Sequence, residues 1–160
     1  MATGKSIIGK EVAGKLGRRF ADLDDLIESK EKRRISDIFA ENGEPYFRKA
    51  EKEVLRRAAQ ESGFVYACGG GIVMDKENIA VMKKTGRIVC LTASPEVILK
   101  RVGDTSHRPL LNVPDPKKQV EQLLASRAPF YAQADITVDT SALSVEQVTA
   151  KILNLIGKIK

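Results

Sequence analysis

The chain has 160 residues, of which 42% are hydrophobic and 30% charged, and its formal net charge is +6. This length and composition fit one globular domain, residues 1–160, with a sizeable core. No apolar stretch is long enough to cross a bilayer and no signal-peptide pattern opens the chain, so we expect a cytoplasmic protein, a monomer, without a membrane partner. The basic residues are scattered and aromatic residues make up 5%, which argues against nucleic acid and favours small anionic ligands.

The predicted elements alternate between helices and strands. A helix over 4–16 comes first, almost at the start of the chain. Four short apolar runs then read as strands, at 20–23, 64–68, 87–91 and 136–138. A helical repeat of apolar residues predicts an amphipathic helix over 45–60, and capping patterns start two further helices at Ser94 and Ser144. Strands that alternate with helices indicate an α/β fold built on a parallel sheet.

The first helix opens on a candidate phosphate-binding loop. Gly4-Lys5-Ser6 matches the end of the P-loop motif, whose backbone N–H groups and helix dipole attract phosphate. In this interpretation Lys5 reaches the terminal phosphates of a nucleotide and the Ser6 hydroxyl binds Mg²⁺. The tripeptide is common by chance, and an ordinary capped helix explains it equally well.

Charged side chains further along the chain suit a metal ion and an anionic substrate. Asp22 and Asp24 are two apart at a predicted strand end, so we expect them to share a face and to serve one metal ion and one hydroxyl. Arg48 and Arg127 can each bind a carboxylate bidentately. A solvated acidic turn and surface arginines are the alternatives.

Six short motifs follow one another along the chain. They are Gly4-Lys5-Ser6, Asp22-Leu23-Asp24, Gly43-Glu44 with Phe47-Arg48, Gly69-Gly70-Gly71, Arg108-Pro109-Leu110-Leu111, and Arg127-Ala128-Pro129-Phe130-Tyr131. This series resembles that of the shikimate kinases over nearly the whole chain. The resemblance implies ATP-dependent phosphorylation of shikimate, an anionic cyclohexene acid, in aromatic amino-acid biosynthesis. It also implies a three-layer P-loop kinase fold, with helices flanking a parallel sheet of strand order 2-3-1-4-5.

The resemblance assigns the nucleotide end of the site. Asp22, together with Ser6, is expected to hold Mg²⁺. Arg108 is expected to meet the nucleotide phosphates from a lid around 103–116 and, with Lys5, to act catalytically on the transferring group. The residues implied in ATP binding, besides Arg108, are Ala2, Thr3, Gly4, Lys5, Ser6 and Ile7.

The resemblance also assigns the substrate end. Asp24 is the implied base for the attacking hydroxyl, and Arg48 and Arg127 are implied to bind the substrate carboxylate. Three consecutive glycines after a strand let a ligand approach the main chain. The resemblance accordingly implies that the ring of the substrate lies against Gly69, Gly70 and Gly71.

Two loop residues and one strand depart from the family pattern. Most members have glycine where Ala2 stands and threonine where Ile7 stands. The central first strand has no counterpart in residues 1–160. A start codon assigned too late or a truncation would explain this, and we expect the codons upstream of Met1 to encode the strand. The alternatives are another small-molecule P-loop kinase, of the gluconate or nucleoside monophosphate type, and a non-catalytic nucleotide-binding module.

Overall fold

The computed structural model describes residues 2–103 and 113–158. Arg108 and most of the predicted lid over 103–116 lie outside the described residues. Helices and strands alternate along the chain, as the sequence predicts. In order they are α1 (Lys5–Lys15), β1 (Arg19–Asp22), α2 (Leu23–Glu31), α3 (Ile35–Ala58), β2 (Phe64–Ala67), a 3₁₀ helix (Ile72–Met74), α4 (Lys76–Thr85), β3 (Val89–Thr92), α5 (Pro95–Val102), α6 (Pro116–Tyr131), β4 (Ile136–Asp139) and α7 (Val145–Lys158).

The strands form two parallel pairs. Arg19 of β1 lies opposite Phe64 of β2, and Val89 of β3 lies opposite Ile136 of β4. In the expected order 2-3-1-4-5, strands 2 and 3 correspond to β1 and β2, and strands 4 and 5 correspond to β3 and β4. The central strand, number 1 in that order, lies between these two pairs. The pairing therefore confirms the predicted α/β class, and within the described ranges no strand joins the pairs.

A cleft of about 790 Å³ lies between the two pairs. Its lining comes from β2 and β3 and from several helices that pack on them. It includes Val65, Tyr66, Ala67, Val89, Cys90, Leu91, Ile8, Val12, Ile79, Met82, Ile152 and Ile156. Among the described residues, β2 pairs only with β1 and β3 only with β4. The cleft therefore offers apolar walls and two strand edges to which a further parallel strand can bond.

Helices cover both faces of the paired strands. On one face α1 packs against β1, β2 and α7, and α7 packs against β4. Ile8, Val12, Val148 and Ile152 of these helices form one apolar cluster with Ile136 and Val138 of β4. A second cluster gathers side chains of α2, α3 and α4, namely Leu23, Ile27, Ile38, Phe47, Val54 and Ile79. Burying each such side chain stabilises the fold by about 1.5–3 kcal/mol. In the two described stretches, no helix is both long and apolar enough to span a membrane.

The predicted helix starts at Ser94 and Ser144 are confirmed. The Ser94 hydroxyl accepts from the Val97 amide at 3.4 Å. At the second start the Gln147 amide donates to the Ser144 hydroxyl at 3.3 Å, while the Gln147 side chain accepts from the Ser144 amide at 2.9 Å. These bonds satisfy N–H groups that a helix leaves unpaired at its first turn.

The helix predicted over 45–60 is part of a longer one. α3 already begins at Ile35, and Gly43 interrupts it with φ 77° and ψ 174°, a conformation that glycine tolerates. Pro45 follows in the first turn after the break, where a proline costs no hydrogen bond. The segment after the break carries Arg48 and Glu51.

Candidate active site

One cavity gathers all the described site residues that the sequence predicts. It has a volume of about 920 Å³ and lies where β1 and β2 end and α1 begins. Ligands of α/β proteins bind at this carboxyl edge of a parallel sheet. The predicted residues that line it are Ala2, Thr3, Gly4, Lys5, Ser6, Ile7, Asp22, Asp24, Arg48, Gly69, Gly70, Gly71 and Arg127.

The loop ahead of α1 is held in a left-handed conformation. Gly4 caps the helix with φ 86°, and its carbonyl accepts from the Ile8 amide at 2.9 Å. Ala2 has φ 47°, a region that an L side chain disfavours. Thr3 is buried, and its hydroxyl has no hydrogen-bond partner among the described residues. The first amides of α1 and its dipole therefore face the cavity as an anion site.

Ser6 and Asp22 are in direct contact. The Ser6 hydroxyl donates to Asp22 Oδ2 at 2.6 Å, and Asp22 Oδ1 accepts from the Asp24 amide at 3.1 Å. Hydroxyl and carboxylate oxygens are hard ligands of the kind that Mg²⁺ takes, usually with several waters retained. The two side chains therefore fit a magnesium site.

Asp24 lies in a helix and not at a strand end. The strand predicted over 20–23 is present as β1, but the prediction that Asp22 and Asp24 share one face at its end is wrong. β1 ends at Asp22, which accepts from the Asp24 amide and so caps α2, and Asp24 falls in the first helical turn. Both carboxylates nevertheless line the cavity. Burial raises the pKa of Asp24, the charge of Asp22 raises it further, and Lys5 opposes the shift.

Arg48 holds two carboxylates on two sides of its guanidinium. Nη1 donates to Glu51 Oε2 at 2.7 Å, while Nε and Nη2 both reach Glu44 Oε1, at 3.1 and 2.9 Å. The guanidinium also lies 5.0 Å from the centre of the Phe47 ring. A Cβ on Gly71 would stand 2.7 Å from Arg48 Cζ, so the close approach of Arg48 requires glycine there.

The sequence interpretation missed Glu51. Its side chain is 1% exposed, and its Oε1 has no hydrogen-bond partner within the described part of the chain. Burial raises the pKa of Glu51, against the influence of Arg48 and Arg127. A glutamate on the apolar face of the predicted helix, between Ala50 and Val54, was the signal that could have identified it.

Residues of α6 and of the segment directly after β4 complete the lining of the cavity. Arg127 is 7% exposed, and one turn later the Tyr131 hydroxyl donates to the Gly70 carbonyl at 2.9 Å. Arg101, which the sequence did not single out, donates to the Thr140 hydroxyl at 2.8 Å and to its carbonyl at 2.6 Å, and both residues line the cavity.

The proteins to which this chain is similar in sequence and in fold are shikimate kinases. The family described as Shikimate kinase matches residues 1–157. The shikimate kinase of Thermoanaerobacter pseudethanolicus is 41% identical over all of this chain and 94% of its own length. That of Caldanaerobacter subterraneus is 42% identical, again over all of this chain and 94% of its own length.

Solved structures agree with the sequence relatives. Shikimate kinase from Acinetobacter baumannii in complex with shikimate superposes with a TM-score of 0.95 at 36% identity, covering 100% of this chain and 91% of that one. The enzyme from Aquifex aeolicus gives a TM-score of 0.86 at 34% identity, covering 98% and 92%. The chain belongs to the shikimate kinase family.

Proposed function

We propose that the protein transfers the γ-phosphoryl group of ATP to a hydroxyl of shikimate, as part of aromatic amino-acid biosynthesis. The observation that carries the proposal is the single cavity shared by a phosphate loop, two adjacent carboxylates and two arginines. Phosphoryl transfer requires positioning and charge neutralisation, and these are the groups that supply them.

At the nucleotide end, we propose that Lys5 and the amides from Ala2 to Ile7 bind the phosphates of ATP. Ser6 and Asp22 would hold Mg²⁺, which supplies charge neutralisation to the phosphates when it is bound. The contact of the Ser6 hydroxyl with Asp22 at 2.6 Å supports this assignment. The catalytic role of Arg108 remains a prediction from the family pattern.

At the substrate end, we propose that Arg48 and Arg127 bind the carboxylate of shikimate. The glycine turn, formed by Gly69, Gly70 and Gly71, would face the shikimate ring. Asp24 orients the attacking hydroxyl. As the hydroxyl oxygen bonds to the γ-phosphorus, the bond from phosphorus to the β–γ bridging oxygen breaks, ADP leaves, and the hydroxyl proton passes to Asp24. The position of Asp24 supports this role, since it lines the same cavity as Lys5, Ser6 and Gly69.

Release of ADP with shikimate, gluconate and AMP offered in parallel tests the proposal. We expect turnover with shikimate, and Asp24→Asn should lower it by about 10²–10⁴-fold, the usual contribution of a general base. Asp37→Asn is the matched control, since Asp37 is exposed and outside the cavity. Turnover with gluconate or AMP alone, or ATP binding without any turnover, would support the alternatives.

The monomeric state and the cytoplasmic location belong to the same proposal and are tested by light scattering and cell fractionation.

A further inference from the structure

The glycine turn of the candidate site is held by its carbonyl groups. The Gly69 carbonyl accepts from the Ile72 amide at 3.2 Å, and the Gly71 carbonyl accepts from the Met74 amide at 3.0 Å. Both of these bonds are local to the 3₁₀ helix. The Gly70 carbonyl instead accepts from Tyr131, 61 residues further along the chain.

Tyr131 has the geometry and the protonation state that this bond requires. It ends α6, its ring packs against the cluster around Leu23, Ile27 and Phe47, and its hydroxyl lies 2.9 Å from the Gly70 carbonyl. Burial raises the pKa of the phenol, while Arg127 opposes the shift. The hydroxyl therefore keeps its proton and can donate it.

Arg127 lies one turn before Tyr131 on the same helix, so the two side chains share a face. The same helix end thus carries a proposed carboxylate-binding arginine and the donor that holds the glycine turn. Glycine has more backbone freedom than any other residue, so the Gly70 carbonyl, which the local bonds do not hold, needs a contact from elsewhere to keep one orientation. Tyr131 is such a contact for the middle glycine.

We infer that Tyr131 is a positioning residue for the substrate: its hydroxyl fixes the Gly70 peptide against the end of α6, at a set place relative to Arg127. The inference rests on the proposed function. It places Tyr131 outside the reacting atoms, and its effect is on the shape of the surface that faces the substrate ring.

The test is Tyr131→Phe, which keeps the packed ring and removes only the hydroxyl. We expect the KM for shikimate to rise about 3–10-fold, the net worth of one hydrogen bond, with kcat within about twofold and the KM for ATP unchanged. Hydrogen exchange of the amides over 69–71 should become faster, while the melting temperature falls by no more than a few degrees.

Tyr46→Phe is the matched control. Tyr46 also donates one side-chain hydrogen bond, to Glu31 at 2.7 Å, but it is exposed and lies outside the cavity. We expect its loss to leave both KM values unchanged. If the wild type phosphorylates shikimate and Tyr131→Phe retains its KM, the inference is wrong and the proposed function stands. A wild-type protein that neither binds nor phosphorylates shikimate overturns both. A variant that melts early, with equal changes in both KM values, would show a role in folding and also overturn the inference.

Discussion

Ala2 adopts a backbone conformation that usually belongs to glycine. Its φ of 47° lies in the left-handed region, where an L side chain costs about 1–2 kcal/mol. We predict that Ala2→Gly raises the free energy of unfolding by about 1 kcal/mol, measured by urea denaturation. The KM for ATP should fall, because the strain that opposes the phosphate-binding shape of the loop is removed.

Lys32 offers a control for backbone strain alone. It has φ 54°, caps the end of α2 and is exposed, away from the cavity. Lys32→Gly should bring a similar gain in stability and leave the KM for ATP unchanged. An Ala2→Gly variant that is less stable than the wild type would contradict the strain assigned to Ala2.

Glu44 accepts from Nε and Nη2 of Arg48, and a carboxylate that bound this edge of the guanidinium would have to displace it. The pair is an exposed i,i+4 contact at 2.9 Å, and such pairs contribute at most about 1 kcal/mol. We predict that Glu44→Gln lowers the KM for shikimate about 2–5-fold, because the substrate no longer competes with a charged side chain for the same N–H groups. The measurement is steady-state kinetics at low and high salt, and the effect should shrink in high salt.

The control for Glu44 is Glu41→Gln. Glu41 is also exposed and bonded to an arginine, Arg33 at 2.6 Å, but Arg33 does not line the cavity, whereas Arg48 does. Its removal should leave the KM for shikimate unaltered. A rise in KM on Glu44→Gln would mean that Glu44 holds Arg48 in place for the substrate and does not compete with it.

The turn after β2 and the second segment of α3 fit together because Gly71 has no side chain. A methyl group there would stand 2.7 Å from Arg48 Cζ. We predict that Gly71→Ala displaces the guanidinium and weakens shikimate binding at least tenfold, measured by calorimetry, while ATP binding persists. Gly14→Ala in α1 is the contrasting change: a Cβ there meets nothing within 4 Å, so it should add about 0.5–1 kcal/mol of stability and leave binding alone. Wild-type affinity for shikimate in Gly71→Ala would contradict the packing described.

Elements with a strong local signal could be predicted from the sequence. β2, β3 and β4 are apolar runs bounded by turns, and the starts at Ser94 and Ser144 carry their own caps. The break at Gly43 could not be predicted, because a glycine inside a helical pattern is compatible with either a continuous or an interrupted helix. The sequence does not predict α6 clearly. Asp115 caps its start, which favours a helix, but Pro129 lies within it, and a proline inside a helical pattern argues against one.

The candidate site was predictable where a motif carries it. The motifs named Lys5, Asp24 and Arg48, and the structure brings them into one cavity. Their contacts were not predictable, since the bonds of Arg48 to Glu44 and Glu51 depend on side-chain directions in the fold. The bond between Tyr131 and Gly70 joins residues far apart in sequence, and no local pattern indicates it.

The two strand pairs face each other across the cleft, and this arrangement predicts where a further strand would bind. Thr3 lines both cavities, so chain placed ahead of Ala2 starts at one end of the cleft and would run parallel to β2 and β3. We predict that adding an apolar strand-forming segment of about six residues before Ala2 raises the melting temperature by at least about 5 °C, as expected when several kcal/mol are gained through burial and ladder bonds.

The control segment carries proline at its centre, which cannot donate to a ladder and is confined to edges. Adding this control segment should not raise the melting temperature. Amide exchange in β2 and β3 should slow with the apolar segment alone. Equal melting temperatures for the two extended chains would show that the cleft does not accept a strand.

The cleft and the candidate site share part of their walls. Thr3, Lys5, Cys68 and Gly69 line both. We therefore expect occupation of one cavity to change the free energy of occupation of the other, and thermodynamic linkage makes such a change equal in both directions. A strand that fixes Thr3 and Gly69 removes conformational entropy that ATP and shikimate would otherwise have to remove on binding. ATP and shikimate would in turn make binding of that strand in the cleft more favourable. The stability of the apolar interior and the ligand affinity of the polar site are then coupled.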